Sequence, residues 1–126
     1  MPKEEYIIKG NFMSKNYLLK YSEQLAIDIE NMCKDIKSSS NTLFQIRKSS
    51  SSVFANIREG NYPQSKADML SKFEIALKEC NETEGWLILL YNSRELDEFS
   101  FKKYRNLCGR IKRLLISSCI TLKKVK

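Results

Sequence analysis

The side chains best placed to do chemistry are eight cations near the C-terminus: Lys102, Lys103, Arg105, Arg110, Lys112, Arg113, Lys123 and Lys124. Residues 99–126 hold nine basic side chains and no acidic one, whereas residues 1–98 hold 13 basic and 15 acidic, so the whole +7 formal charge arises in the last segment. On a helix turning by about 100° per residue, Lys102, Arg105, Lys112, Arg113 and Lys123 fall roughly opposite Tyr104, Ile111 and Leu115, with Lys103, Arg110 and Lys124 flanking them. A basic stripe longer than about 25 Å, with no carboxylate interleaved, sets up a field that attracts a phosphate backbone. Such contacts position a nucleic acid without reading its bases, so RNA and DNA are not distinguished. The same charge also fits a solvated face that favours solubility and complements the C-terminal end of the helix dipole. The nine-to-zero imbalance exceeds what solubility requires, which favours nucleic acid or an acidic protein surface as the partner. A membrane surface is not the expected partner, because the apolar face of this helix is needed for the core.

Other chemistries lack their residues. The chain has no His, which removes the usual general base, the commonest zinc ligand and the usual partner of a Ser or Cys nucleophile. Cys33, Cys80, Cys108 and Cys119 are spread singly, with no C-x-x-C pair, and read as reduced core residues. Cys108 and Cys119 lie about three helical turns apart and cannot reach each other as a disulfide. Asn56 and Glu59 share a helix face and are expected in a buried or inter-subunit hydrogen-bond network. One carboxylate without an opposing acid does not assemble a familiar reaction site. No metal, no cofactor and no catalytic residue are expected.

These side chains must be carried by helices. A chain of 126 residues, 42% apolar and 29% charged, is one domain's length with enough apolar surface to fold. Its apolar residues recur at threes and fours, and beta structure has little support. The first helix is expected over about Ser14–Lys37, with Leu18, Tyr21, Leu25, Ile29, Met32 and Ile36 as its stripe; residues 1–12 are read as disordered or as an N-terminal arm. Ser40 or Asn41 is the expected N-cap of a second helix over about Leu43–Glu59, built on Leu43, Ile46, Ser50, Val53 and Ile57. That phase survives across Ser49–Ser52, which favours a continuous, closely packed helix over a serine loop. Gly60 reads as its stop, followed by Pro63.

The third helix starts from Ser65, with Asp68 as a weak capping-box partner, and reaches about Tyr91. Met69, Phe73, Ala76, Cys80, Thr83, Leu87 and Leu90 repeat at the 3.5-residue period of bundle helices. Gly85 inside it signals either close packing or local weakness, and Trp86, one position off the seam, either an edge of the core or a subunit contact. The fourth helix spans about Glu98–Lys124 with Phe101, Tyr104, Cys108, Ile111, Leu115, Ser118 and Leu122 inward and Leu107 and Leu114 widening that face. Short connections make the expected fold an all-α, antiparallel, up-down-up-down four-helix bundle. The charged N-terminus resembles no signal peptide and no segment has the roughly 20 apolar residues that cross a bilayer, so a cytoplasmic location is expected.

The segment from Arg47 to Gly60, with Ala55-Asn56-Ile57 and Glu59-Gly60, resembles the signature of a family of small four-helix proteins. This family includes the proteins encoded in intervening sequences of bacterial 23S rRNA genes and the accessory variability determinants of diversity-generating retroelements. The likeness continues through Ser65-Lys66-Ala67-Asp68, Ile75–Glu79, Glu82-Thr83 and Trp86-Leu87. Phe54 and Arg58 depart from it, standing where small or apolar residues are common. The resemblance implies a homopentameric ring of bundles. In its retroelement branch it implies a basic accessory subunit that binds a reverse transcriptase and nucleic acid. The expected function is thus a non-enzymatic, oligomeric nucleic-acid-binding accessory protein working through its fourth helix. The alternative is a protein-interaction scaffold of the ribosomal-insertion type that makes no direct nucleic-acid contact.

Overall fold

The computed structural model describes residues 3–37 and 40–124, with side chains from residue 17 onward. They form α1 (Lys3–Asp35), α2 (Ser40–Gly60), α3 (Lys66–Asn92) and α4 (Glu98–Lys124). α1 and α3 each pack on both α2 and α4, and neither diagonal pair meets among the described residues. With short turns between successive helices, this is an antiparallel four-helix bundle around one core.

The spacing of apolar residues explains the core. All seven expected α3 positions, Met69 to Leu90, are buried. On α1, Leu18, Leu25, Ile29 and Met32 are buried, while Tyr21 and Ile36 pack at the edge. On α4, Phe101, Cys108, Ile111, Leu115, Ser118 and Leu122 point inward, and Tyr104, Leu107 and Leu114 widen the face. The four cysteines are free and buried. Burial pushes the thiols of Cys33 and Cys119 up, and the hydrogen bond with the Cys80 thiol, together with burial, pushes Cys108 up further. These groups stay protonated, as packing residues do.

α2 is continuous through its four serines. Ser49 and Ser50 are buried and satisfy their hydroxyls on the carbonyls of Ile46 and Arg47, both at 3.2 Å. The Thr83 hydroxyl of α3 lies 2.8 Å from Ser49 Oγ, joining the two helices by a hydrogen bond inside the core. Gly60 also serves this pairing. Its backbone is not left-handed, so it is no conformational stop. A Cβ at Gly60 would lie 2.6 Å from Cε1 and 2.8 Å from Cδ1 of the Phe73 ring, so the residue must be glycine for α3 to approach.

The starts of α1 and α2 differ from the sequence reading, and the end of α3 is closed by an unusual residue. α1 begins at Lys3, so residues 3–12 continue the helix although Gly10 and Asn11 are weak helix formers. α2 begins at Ser40, so its cap position is not Ser40 or Asn41 and falls outside the described residues. α3 closes without glycine: Glu95 N–H donates to the Leu90 carbonyl at 2.9 Å and Arg94 N–H to the Tyr91 carbonyl at 3.0 Å, with Arg94 at φ 63°. That is a Schellman closure with arginine in the left-handed position. Ser65 caps α3 by accepting the Asp68 N–H at 3.0 Å, and the Asp68 carboxylate accepts the Gln64 N–H at 3.2 Å. No described helix is long and apolar enough to cross a membrane.

Candidate nucleic-acid interface

α4 lies between α1 and α3, so its outward arc is bordered by both. Apolar residues every three or four positions fix the rotation of the helix, and the cations occupy what remains. Lys102, Lys103, Arg105, Arg110, Arg113, Lys123 and Lys124 are exposed. Lys112 is not on the free face. It turns toward α3, with its side chain 27% exposed, and places Nζ 3.6 Å from Glu84 Oε1 and 3.4 Å from Asn81 Oδ1. Lys102 pairs with Glu98 one turn back at 3.0 Å, and this hydrogen bond holds its ammonium pKa above the usual lysine value. The stripe is therefore less free of carboxylates than residues 99–126 alone suggest, because Glu98 at the start of α4 and Glu84 on α3 border it.

Six cations carry no carboxylate partner among the described residues: Lys103, Arg105, Arg110, Arg113, Lys123 and Lys124. Two of them rest on rings. Lys103 Nζ sits 5.9 Å from the Tyr104 ring centroid and the Arg105 guanidinium 5.8 Å from that of Phe101, contacts that leave N–H groups free to donate. Two depressions flank the helix. The groove toward α1, about 390 Å³, is lined by Lys20, Tyr21, Lys103 and Arg110 and by Gln24 and Asp28, which are hydrogen-bonded to each other at 2.8 Å. The depression toward α3, about 470 Å³, is lined by Glu84, Arg105, Asn106, Gly109, Arg110 and Arg113. Arg110 and Asn106 border both.

The Asn56 and Glu59 pair does not form a network of its own. Asn56 Nδ2 donates to the Ser52 carbonyl at 2.9 Å and to Ser52 Oγ at 3.1 Å, while Glu59, exposed, reaches Lys72 on α3 at 3.2 Å. Ile57 and Gly60 are buried, so this motif serves the α2–α3 pair. Phe54 and Arg58, the departures from the family pattern, line a surface depression with exposed Tyr62. Among the described residues no group of three or more His, Cys, Asp or Glu could hold a metal ion. Sequence reasoning missed Glu84, Asn81, Asn106 and Gly109. The first two come from the neighbouring helix, but the spacing Arg105, Gly109, Arg113 repeats every four residues and could have shown a gap on one helix face.

Comparison with known proteins bears on all of this. The sequence profile of the 23S rRNA-intervening sequence protein matches residues 15–117. A crystal structure of a protein of unknown function from the S23 ribosomal protein family of Bacteroides thetaiotaomicron VPI-5482 is similar, with 35% identity and a TM-score of 0.79, over 85% of this chain and 98% of that one. A comparison with curated proteins gives no match. The matched span takes in the α2–α3 motif, most of the buried seams of the bundle and the first three quarters of α4, and on that ground the chain belongs to the 23S rRNA-intervening sequence protein family.

Proposed function

We propose that this protein is a non-enzymatic nucleic-acid-binding accessory protein that works as a homo-oligomeric ring, laying the α4 faces of several copies against the phosphate backbone of RNA or DNA. The observation that carries the reading is the group of six α4 cations left without a carboxylate partner, four of which, Lys103, Arg105, Arg110 and Arg113, line two depressions, while Lys102 and Lys112 are already engaged. Unpaired cations gathered on one face repel each other, and a polyanion relieves that repulsion. Multiplicity matters because one such face binds weakly at physiological salt, whereas linked faces raise the effective concentration of each next contact.

Self-assembly draws support from apolar surface that the single bundle leaves uncovered. α3 presents Ile75, Ile88 and Leu89 outward in addition to its buried seam, and α4 presents Ile116 and Ile120. The half-buried Trp86 keeps its indole Nε1 away from solvent without an acceptor in the single chain. A pentamer is the ring that the family resemblance implies, and a reverse transcriptase is the first protein partner to try. The test is charge reversal. Arg110→Glu, Arg113→Glu and Lys124→Glu together should abolish retention of single-stranded RNA at low salt while helicity and oligomer mass stay those of the wild type. Retention unchanged by the triple substitution overturns the reading and leaves the protein-scaffold alternative.

A further inference from the structure

Gly109 stands on the outward arc of α4, one turn from Arg105 and one turn from Arg113. With no side chain there, the helix surface is notched, and Arg105, Asn106, Arg110 and Arg113 of α4 together with Glu84 of α3 bound a cavity of about 470 Å³ over it. The atom nearest to a Cβ built at Gly109 is Nη1 of Arg113, at 3.3 Å, so that guanidinium already leans over the notch. Glu84, on the α3 side, is engaged by Lys112 at 3.6 Å and does not pair with the three arginines. Arg105 lies against the Phe101 ring, which supports its guanidinium without using its N–H edge. Arg105, Arg110 and Arg113, each carrying a rigid planar fork of donors, thus line one concavity over Gly109, and the carboxylate in its wall, Glu84, is already engaged by Lys112.

We propose that the notch over Gly109 is a phosphate seat, receiving one phosphodiester of a nucleic-acid strand between the guanidiniums of Arg105, Arg110 and Arg113. Guanidinium forks match phosphate oxygens in spacing and plane, and a backbone group approaches a helix closely only where a side chain is missing. The inference rests on the nucleic-acid reading above and adds a location to it. Because Asn106 and Arg110 also border the groove toward α1, where Lys20 and Lys103 stand, the strand crosses α4 near its middle rather than running its length. Lys123 and Lys124 then supply long-range attraction and no seat.

The test fills the notch without changing any charge. Binding of a fluorescein-labelled oligouridylate is followed by fluorescence anisotropy for the wild type, Gly109→Leu and the double variant Lys123→Gln/Lys124→Gln, with helicity and mass checked for each. Gly109→Leu should weaken Kd by about tenfold or more, the equivalent of one or more charge-assisted hydrogen bonds, although its net charge is that of the wild type. The double variant, two charges poorer, should lose less. If Gly109→Leu misfolds, Gly109→Ala, which favours the helix and adds only a methyl group under Arg113, should weaken Kd in the same direction. Wild-type affinity in the notch-filling variant, with loss in the double variant, overturns the seat and leaves the general charge reading standing. Absence of binding by the wild type overturns both.

Discussion

The same substitution, glycine to alanine, should have opposite effects at two positions of this bundle. At Gly85 on α3 a Cβ would find nothing within 4 Å, the residue is exposed and its backbone is not left-handed. Gly85→Ala therefore recovers the helix propensity that glycine loses, about 1 kcal/mol, which raises Tm by roughly 3–5 °C in a domain of this size. At Gly60 the Cβ would stand 2.6 Å and 2.8 Å from two ring carbons of Phe73, a side chain only 1% exposed. Carbon atoms pack at about 3.5–4.0 Å, so the ring or the α2–α3 spacing must shift by about 1 Å inside a filled core. Overpacking of that kind costs about 1–3 kcal/mol and lowers Tm by roughly 3–15 °C. Thermal and urea denaturation of both variants, followed by far-ultraviolet circular dichroism, reads both signs. A Gly60→Ala protein as stable as the wild type, or a destabilised Gly85→Ala protein, would refute the assignment of Gly60 to interhelical approach and Gly85 to open surface.

Two further outcomes follow from the polar groups. Thr83→Val keeps the shape of the side chain but removes the hydroxyl that meets Ser49, costing about 1 kcal/mol; the double variant with Ser49→Ala should cost less than the two single changes together, and additivity in urea denaturation would show that the hydroxyls do not couple. Asp97 caps α4 by accepting the Ser100 N–H at 2.9 Å, and that hydrogen bond holds its carboxyl below the usual aspartate value. A depressed folded-state pKa gives stability that is present above the unfolded value and is lost as pH falls through the folded one. Asp97→Ala should therefore melt below the wild type at neutral pH, with the gap closing as pH drops below about 3.9, and a gap that does not depend on pH would contradict the cap.

What could be read from the residues alone follows from where each determinant lies. The α3 seam was legible to its last member, because a 3.5-residue period needs only the positions of apolar residues along one helix. The continuity of α2 across Ser49–Ser52 was legible for the same reason, since Ile46, Val53 and Ile57 keep their phase on both sides. The role of Gly60 was not, because the atoms that require it belong to Phe73 on another helix. The closure of α3 escaped because its left-handed residue is Arg94, not the glycine that normally marks the place. The cations of α4 divide the same way. Their number and their helix are local facts, but the loss of Lys112 to Glu84 depends on how α3 is turned toward α4. A helical wheel holds one helix and cannot show its neighbour's carboxylates.

The most direct test of the claim that assembled α4 faces hold a nucleic-acid backbone is size-exclusion chromatography with light scattering on the wild-type chain, with and without mixed-sequence single-stranded RNA, across a series of salt concentrations. The account predicts a particle of several 14.7 kDa chains that takes up RNA at low salt and releases it as salt rises. The logarithm of its binding constant should fall by about 0.7 for each phosphate neutralised per unit of log salt. A multimer that ignores RNA at the lowest salt, or one that holds RNA with no dependence on salt, would contradict it.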